Sequence, residues 1–268
     1  MNGEDGRGGV AGKTGRSAVA ASRRARSALP GRSVLRAVLV DMGGVVLDLG
    51  DGGGRPWGDS ERRGREELLD LVQETGGRAA EEDLEPWVFT PWRRGYERRY
   101  RLGREAPLLP HFERLGRLSG ASAPPDRLLA AWAGPYLRGL RPTSGAGDAL
   151  ARLAAELPLA LVSNVPLPGR CFQEVLAGQG LAPHFRSLHF SYDAGGRKPG
   201  PLLVLGALAS VEATPDAAVL VGDRRSTDVA AGRAAGVATV WVESADAAGP
   251  EPDAVIGSLA ELPELLGL

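Results

Sequence analysis

Residues 37–48 read Ala37-Val38-Leu39-Val40-Asp41-Met42-Gly43-Gly44-Val45-Val46-Leu47-Asp48. Four apolar residues end at a carboxylate and a pair of glycines, the pattern of a short buried strand running into a turn. Further short runs at 159–162, 186–190, 217–221 and 238–242 read with it as strands of a buried parallel sheet. Helical spacing predicts helices at 146–156, 171–177, 201–211, 227–235 and 258–266. This alternation of strand and helix predicts an α/β fold with a doubly wound parallel sheet, a Rossmann-like core.

The interval between the first and second strands breaks the rhythm. Residues 51–141 hold four of the five tryptophans, with helical spacing at 66–72 and 126–137. A connection of that length is neither a plain crossover nor a structureless loop. It reads as an inserted, mostly helical domain, which leaves 34–50 and 142–268 as the core. Residues 1–33 carry seven basic and two acidic side chains with little aliphatic periodicity, and read as a disordered basic tail.

Composition excludes several classes. One cysteine rules out a disulfide framework, and three scattered histidines offer no zinc cluster. No apolar run approaches the roughly 18 residues of a spanning helix. The Arg23-Arg24 pair is followed by Pro30, Gly31 and Arg32 rather than by an export-signal stretch. A formal net charge of −1 and an insertion with 16 basic and 15 acidic residues leave no sustained basic face for nucleic acid. The expectation is a soluble, cytoplasmic protein acting on a small molecule, with neither nucleic acid nor membrane as partner.

In doubly wound sheets ligands bind beyond the carboxyl ends of the strands. The first strand runs into Asp41, the second into Ser163-Asn164, and the third is followed by Arg197-Lys198-Pro199. The fourth runs into Gly222-Asp223, with Asp228 five residues on. Alone, each group has an ordinary explanation as a turn or helix-capping residue. Together they put carboxylates on one rim, where they repel one another unless a hard cation such as Mg²⁺ sits between them. A lysine and a serine beside such a set are donors for phosphate oxygens, and the rim suits phosphoryl transfer.

The segments Val38-Leu39-Val40-Asp41-Met42-Gly43-Gly44-Val45-Val46-Leu47-Asp48, Leu161-Val162-Ser163-Asn164, Gly196-Arg197-Lys198-Pro199 and Val221-Gly222-Asp223-Arg224-Arg225-Ser226-Thr227-Asp228 resemble the four motifs of the haloacid dehalogenase superfamily. The insertion falls where that family carries a helical cap. The resemblance implies a hydrolase of the phosphoric monoester type, with Asp41 as nucleophile forming an aspartyl-phosphate. It implies Mg²⁺ held by Asp41, the Gly43 carbonyl, Asp223 and Asp228. Ser163, Asn164, Lys198 and Gly44 are then the substrate-binding set, with Ser163 and Lys198 also serving catalysis on a small phosphorylated substrate.

One position departs from the family pattern. Its phosphatases carry a second Asp two residues after the nucleophile, which protonates the leaving group and then activates water, and here that residue is Gly43. General acid and base catalysis contributes roughly 10² to 10⁴-fold. Either the substrate has a good leaving group, or an acid comes from the cap or from Asp48, or phosphatase activity is absent. The last case corresponds to a phosphate-binding or regulatory module. Dehalogenases also lack this Asp, but they have no need of the metal-binding acids Asp223 and Asp228.

Other features have plainer readings. Trp87, Trp92, Tyr96 and Tyr100 alternate with Arg93, Arg94, Arg98, Arg99, Arg101 and Arg104, which predicts a cap helix with aromatics inward and arginines solvated. Gly8-Gly9-Val10-Ala11-Gly12-Lys13-Thr14 resembles a nucleotide phosphate loop but has Arg7 where its first glycine belongs and no strand before it. Cys171 reads as a packing residue, and His111, His184 and His189 as solvated or core residues. Only two of the 32 basic residues are lysines, Lys13 and Lys198, so a retained lysine at the rim marks a place where a compact charge is needed.

Overall fold

Ala37–Val40 forms strand β1 with all four residues buried, as a strand covered on both faces requires. The computed structural model describes residues 29–48 and 58–268. Its main sheet continues with β4 (Leu159–Ser163), β5 (Ser187–Phe190), β6 (Ala218–Gly222), β7 (Ala238–Val242) and β8 (Ala254–Ile256), after a short pair β2 (Leu47–Asp48) and β3 (Arg141–Pro142). The strand order is β5-β4-β1-β6-β7-β8, with every neighbouring pair parallel. β1 therefore lies where the winding reverses, with β4 on one side and β6 on the other.

Alternate residues of the central strands enter two separate cores. Val38, Val40, Leu159, Leu161, Val219 and Val221 face the larger cluster, which extends into the insertion. Ala37, Leu39, Ala160, Val162, Ala218 and Leu220 face a smaller one with Leu203, Val204 and Ala207. The last three belong to the helix Leu202–Ser210.

The predicted strands recur within a residue or so at each end. β8, three residues at the sheet edge, and the antiparallel β2–β3 pair were too short to be predicted. The helix predicted at 227–235 is divided, with a widened π turn at Arg225–Val229 before Ala230–Ala235. That predicted at 258–266 opens as a 3₁₀ turn, Leu259–Glu261, before Leu262–Leu266.

The β2–β3 pair closes the base of the insertion. Between these strands the chain forms the helices Gly58–Glu74, Glu81–Leu84, Thr90–Arg101, Leu109–Ser119 and Pro125–Gly139, with a π turn at Glu85–Phe89. The first and last cross where Gly64 meets the Trp132 carbonyl, which a Cβ on Gly64 would approach to 2.1 Å. Among the described residues, no helix is long and apolar enough to cross a membrane. Of the expected tail, residues 1–28, with Lys13 and the Gly8–Thr14 segment, lie outside the described residues. Arg32 pairs with Glu156 at 3.1 Å.

Candidate active site

Asp41 is the first residue past β1, and its N–H donates to the Val221 carbonyl of β6 at 2.9 Å. Because Val40 is in register with Leu161 and Val221, Ser163 and the residue after β6, Asp223, emerge at nearly the same height. The π turn that follows brings Asp228 back under the rim, where its Oδ2 accepts the Arg224 N–H at 2.9 Å.

Lys198 joins these groups. Its Nζ lies 2.6 Å from Asp41 Oδ1 and 2.6 Å from Asp228 Oδ1, and it donates to the Val162 carbonyl at 2.7 Å. Three partners saturate an ammonium, and the side chain is almost fully buried. Asn164 fixes the lysine backbone from both sides: its Nδ2 donates to Lys198 O at 2.8 Å, and Lys198 N donates to its Oδ1 at 2.9 Å. The amide, expected to meet substrate, is thus engaged in positioning Lys198.

Gly44 lies beside this set. Its N–H donates to Leu47 O at 2.8 Å, and it is not part of the cavity wall. What it supplies is space and a left-handed turn: φ is +75°, and a Cβ there would sit 2.4 Å from Asp223 Oδ2. Asp223 is held through its carbonyl, which accepts from Trp241 Nε1 at 2.8 Å and Ser244 Oγ at 2.5 Å.

Three carboxylates face one lysine. One oxygen from each of Asp41, Asp223 and Asp228 lies within 4.8 Å of the others, and Asp223 Oδ1 is buried with no hydrogen-bond partner. Burial, followed by repulsion from Asp41 and Asp228, pushes the Asp223 carboxyl up to about 8. Burial also raises Asp41, to about 6, with Lys198 pulling it down and Asp228 pushing it up. For Lys198 burial acts to lower the pKa, but the charges of Asp228 and Asp41 outweigh it and hold the ammonium charged. An all-oxygen set with excess negative charge and one unpartnered oxygen fits a hard divalent cation.

Asp41, Ser163, Lys198, Asp223 and Asp228 line one cavity of about 200 Å³. The lining also includes Leu167 and Phe172 from the core, and from the insertion, among the described residues, Tyr136. Tyr136 lies near the end of the helix Pro125–Gly139 and is 7% exposed. Burial raises its phenol to about 12.

Sequence reasoning missed a second buried charge cluster next to the site. Glu105 and Arg197 are both buried, paired at 3.4 Å. Glu105 also accepts from Ser191 Oγ at 2.6 Å and from Ala106 N at 2.9 Å. The Arg197 guanidinium donates to the Tyr96 hydroxyl at 2.9 Å and lies 4.8 and 4.9 Å from the ring centres of Tyr96 and Tyr100. Ser191 Oγ in turn receives the Val165 N–H at 2.8 Å. The insertion is thereby tied to the loop after Ser163 and to the residue before Lys198.

Removing one partner of a buried ion pair costs about 3–5 kcal/mol, because the other charge is left uncompensated. Arg197→Met is therefore expected to destabilise by that order, measured by urea unfolding, and adding Glu105→Gln to recover part of the loss. Strictly additive losses in the double variant would show the pair to be uncoupled.

The remaining expectations concern packing. Arg93, Arg94, Arg98, Arg99, Arg101 and Arg104 are exposed, whereas Trp92, Tyr96 and Tyr100 are half-buried. Trp92 Nε1 donates to Ala106 O at 2.7 Å. His189 bonds Ser210 and Ser187 at 2.9 and 3.1 Å, away from the cavity. Burial pushes the Cys171 thiol up, contrary to what a reactive thiolate needs.

Comparison with known proteins bears on this site. Residues 196–262 match a family model described as HAD-hydrolase-like. Phosphoserine phosphatase of Thermus thermophilus is 34% identical over 201 residues, covering 60% of this chain and 80% of that protein. Among solved structures, 2-haloacid dehalogenase from Pseudomonas syringae pv. Tomato aligns with a TM-score of 0.62 at 23% identity, over 87% of this chain and 98% of that one. A magnesium-bound structure from Bacillus subtilis, described as a HAD-hydrolase, aligns with a TM-score of 0.56 at 20% identity, over 87% of this chain and 99% of that one. Likeness at these identities establishes a shared fold.

Proposed function

This chain belongs to the haloacid dehalogenase-like hydrolases, and from that premise we propose that it is a Mg²⁺-dependent phosphatase of small phosphate monoesters, with residues 51–141 as a cap. One observation carries the reading: a buried lysine 2.6 Å from each of two carboxylates, beside a third carboxylate with an unpartnered oxygen. Similarity to a phosphoserine phosphatase supports phosphate monoesters as the substrate class.

Asp41 is the nucleophile. Lys198 holds its Oδ1 and so fixes the orientation of the carboxylate, which opens the attack on phosphorus. The bond from phosphorus to the leaving oxygen breaks as the aspartyl-phosphate forms, and water then cleaves that intermediate. Ser163 donates to the phosphoryl oxygens, and the positive charge of Lys198 offsets the negative charge that develops on them. Asp41, Asp223, Asp228 and the Gly43 carbonyl would hold Mg²⁺, which when bound offsets the negative charge of the carboxylates and the phosphate. Asn164 acts through the backbone of Lys198.

A panel of phosphate esters and acyl phosphates, assayed with Mg²⁺ and with a chelator, tests the reading. Turnover is expected with Mg²⁺, to vanish with the chelator and to return when Mg²⁺ is restored. Activity that survives the chelator would overturn the Mg²⁺ dependence of this reading. Gly43 favours a second reading, a phosphate-binding module without turnover. Binding of inorganic phosphate with no hydrolysis of any ester would select it.

A further inference from the structure

The phosphatase reading leaves one proton unaccounted for. An alkoxide is a poor leaving group unless it is protonated as it departs, and Gly43 has no proton to give. Asp48 is exposed on β2 and is not part of the cavity wall. The Arg224 guanidinium is engaged by Asp246 at 2.8 Å. Asp223 holds the cation in the reading above, which requires its ionised form. Among the described residues, the insertion contributes one side chain to the cavity wall, Tyr136, whose phenol carries a proton.

We propose that the Tyr136 phenol replaces the carboxyl missing at Gly43, acting first as general acid and then as general base. The inference rests on the phosphatase reading. As the bond from Asp41 to phosphorus forms and the bond to the leaving oxygen breaks, the phenolic proton passes to that oxygen, giving a neutral alcohol and a phenolate. Water then attacks the aspartyl-phosphate and gives a proton to the phenolate. Phosphate is released, and both Asp41 and Tyr136 return to their starting states.

Three features fit this role. The phenol, raised by burial to about 12, holds its proton at neutral pH, and its phenolate is a strong base, at the cost of a weaker acid than an ordinary phenol. An aliphatic alkoxide is a stronger base still, so the first transfer runs downhill. The cavity, about 200 Å³, lies below the roughly 300–1,000 Å³ of pockets for drug-sized ligands. A phosphate and a few carbon atoms fill such a space, which brings a short leaving group against Tyr136 and the apolar Leu167 and Phe172. The geometry thus favours short aliphatic phosphate monoesters.

The test compares Tyr136→Phe with the unsubstituted protein on p-nitrophenyl phosphate and on n-propyl phosphate, both with Mg²⁺, after thermal unfolding has shown that the variant is folded. p-Nitrophenolate departs without a proton. The variant is therefore expected to release its first equivalent of p-nitrophenolate at the parental rate. Single-turnover cleavage of propyl phosphate is expected to fall by roughly 10² to 10⁴-fold, the span of general acid catalysis. An equal fall in the first step for both esters, or no fall for the propyl ester, would overturn the role of Tyr136 and leave the phosphatase reading intact. Failure of the unsubstituted protein to hydrolyse either ester would overturn that reading, and the inference with it.

Should the variant not fold, kcat/KM of the unsubstituted protein across esters of graded leaving-group pKa decides the matter. A shallow dependence supports the acid, and a steep one overturns it.

Discussion

Asp41→Asn is expected to abolish turnover while leaving the protein folded and no less stable. Asparagine has the shape of aspartate but cannot serve as the carboxylate nucleophile, and loss of a nucleophile lowers kcat on the order of 10⁴ to 10⁶-fold. The stability side follows from charge. Burial raises the Asp41 carboxyl to about 6 and Asp223 to about 8, so in the absence of a cation the ionised trio is costly to bury. A neutral amide removes one member of the repelling set but keeps an oxygen 2.6 Å from Lys198 to accept its proton. Unfolding in a chelator should therefore occur at the same or a higher temperature than in the parent. Loss of activity together with unfolding would mean that Asp41 serves the fold. Unchanged turnover would sink the proposed mechanism.

The legible parts of this protein are those where chemistry and local geometry coincide in a few consecutive residues. β1, β4 and β6 read as continuous runs because they are buried on both faces, and such a run ending at Asp41, Ser163 or Asp223 states both the strand and its rim. Lys198 was legible because lysine is rare in this chain. The cluster around Glu105 was not. With 16 basic and 15 acidic residues in the insertion, charge counting cannot single out the one pair that is buried. A weak signal did exist: Glu105 is a lone acid set between Arg104 and the apolar stretch 106–109.

Tyr136 was hidden for a different reason. In the apolar helix Pro125–Gly139 a tyrosine reads as core packing, and spacing along a helix does not tell which end reaches the rim of another domain. The π turn at Arg225–Val229 was equally silent, because a helical pattern of period 3.6 is the same on either side of one inserted residue. That turn returns Asp228 beneath Asp223, so the motif was readable while the device that aims it was not.

Lys198→Arg is expected to preserve the charge and the fold while lowering kcat by about 10²-fold or more, the scale of losing one preorganised electrostatic contact at a developing charge. A conservative change fails here because of shape. Nζ is a single atom in contact with Asp41 Oδ1, Asp228 Oδ1 and the Val162 carbonyl, at 2.6, 2.6 and 2.7 Å, and no planar fork reproduces three convergent bonds from one point. The extra bulk has no room, since the lysine is only 1% exposed and its backbone is clamped by Asn164. The guanidinium must either push Asp41 out of its attack position or turn into the cavity where phosphate binds. In the first case kcat falls on every ester, in the second KM for phosphate esters rises as well. Both differ from Tyr136→Phe, whose loss depends on the leaving group. An arginine variant with parental kcat on both p-nitrophenyl and propyl phosphate would show that the site needs only a positive charge, and would remove Lys198 from the catalytic set.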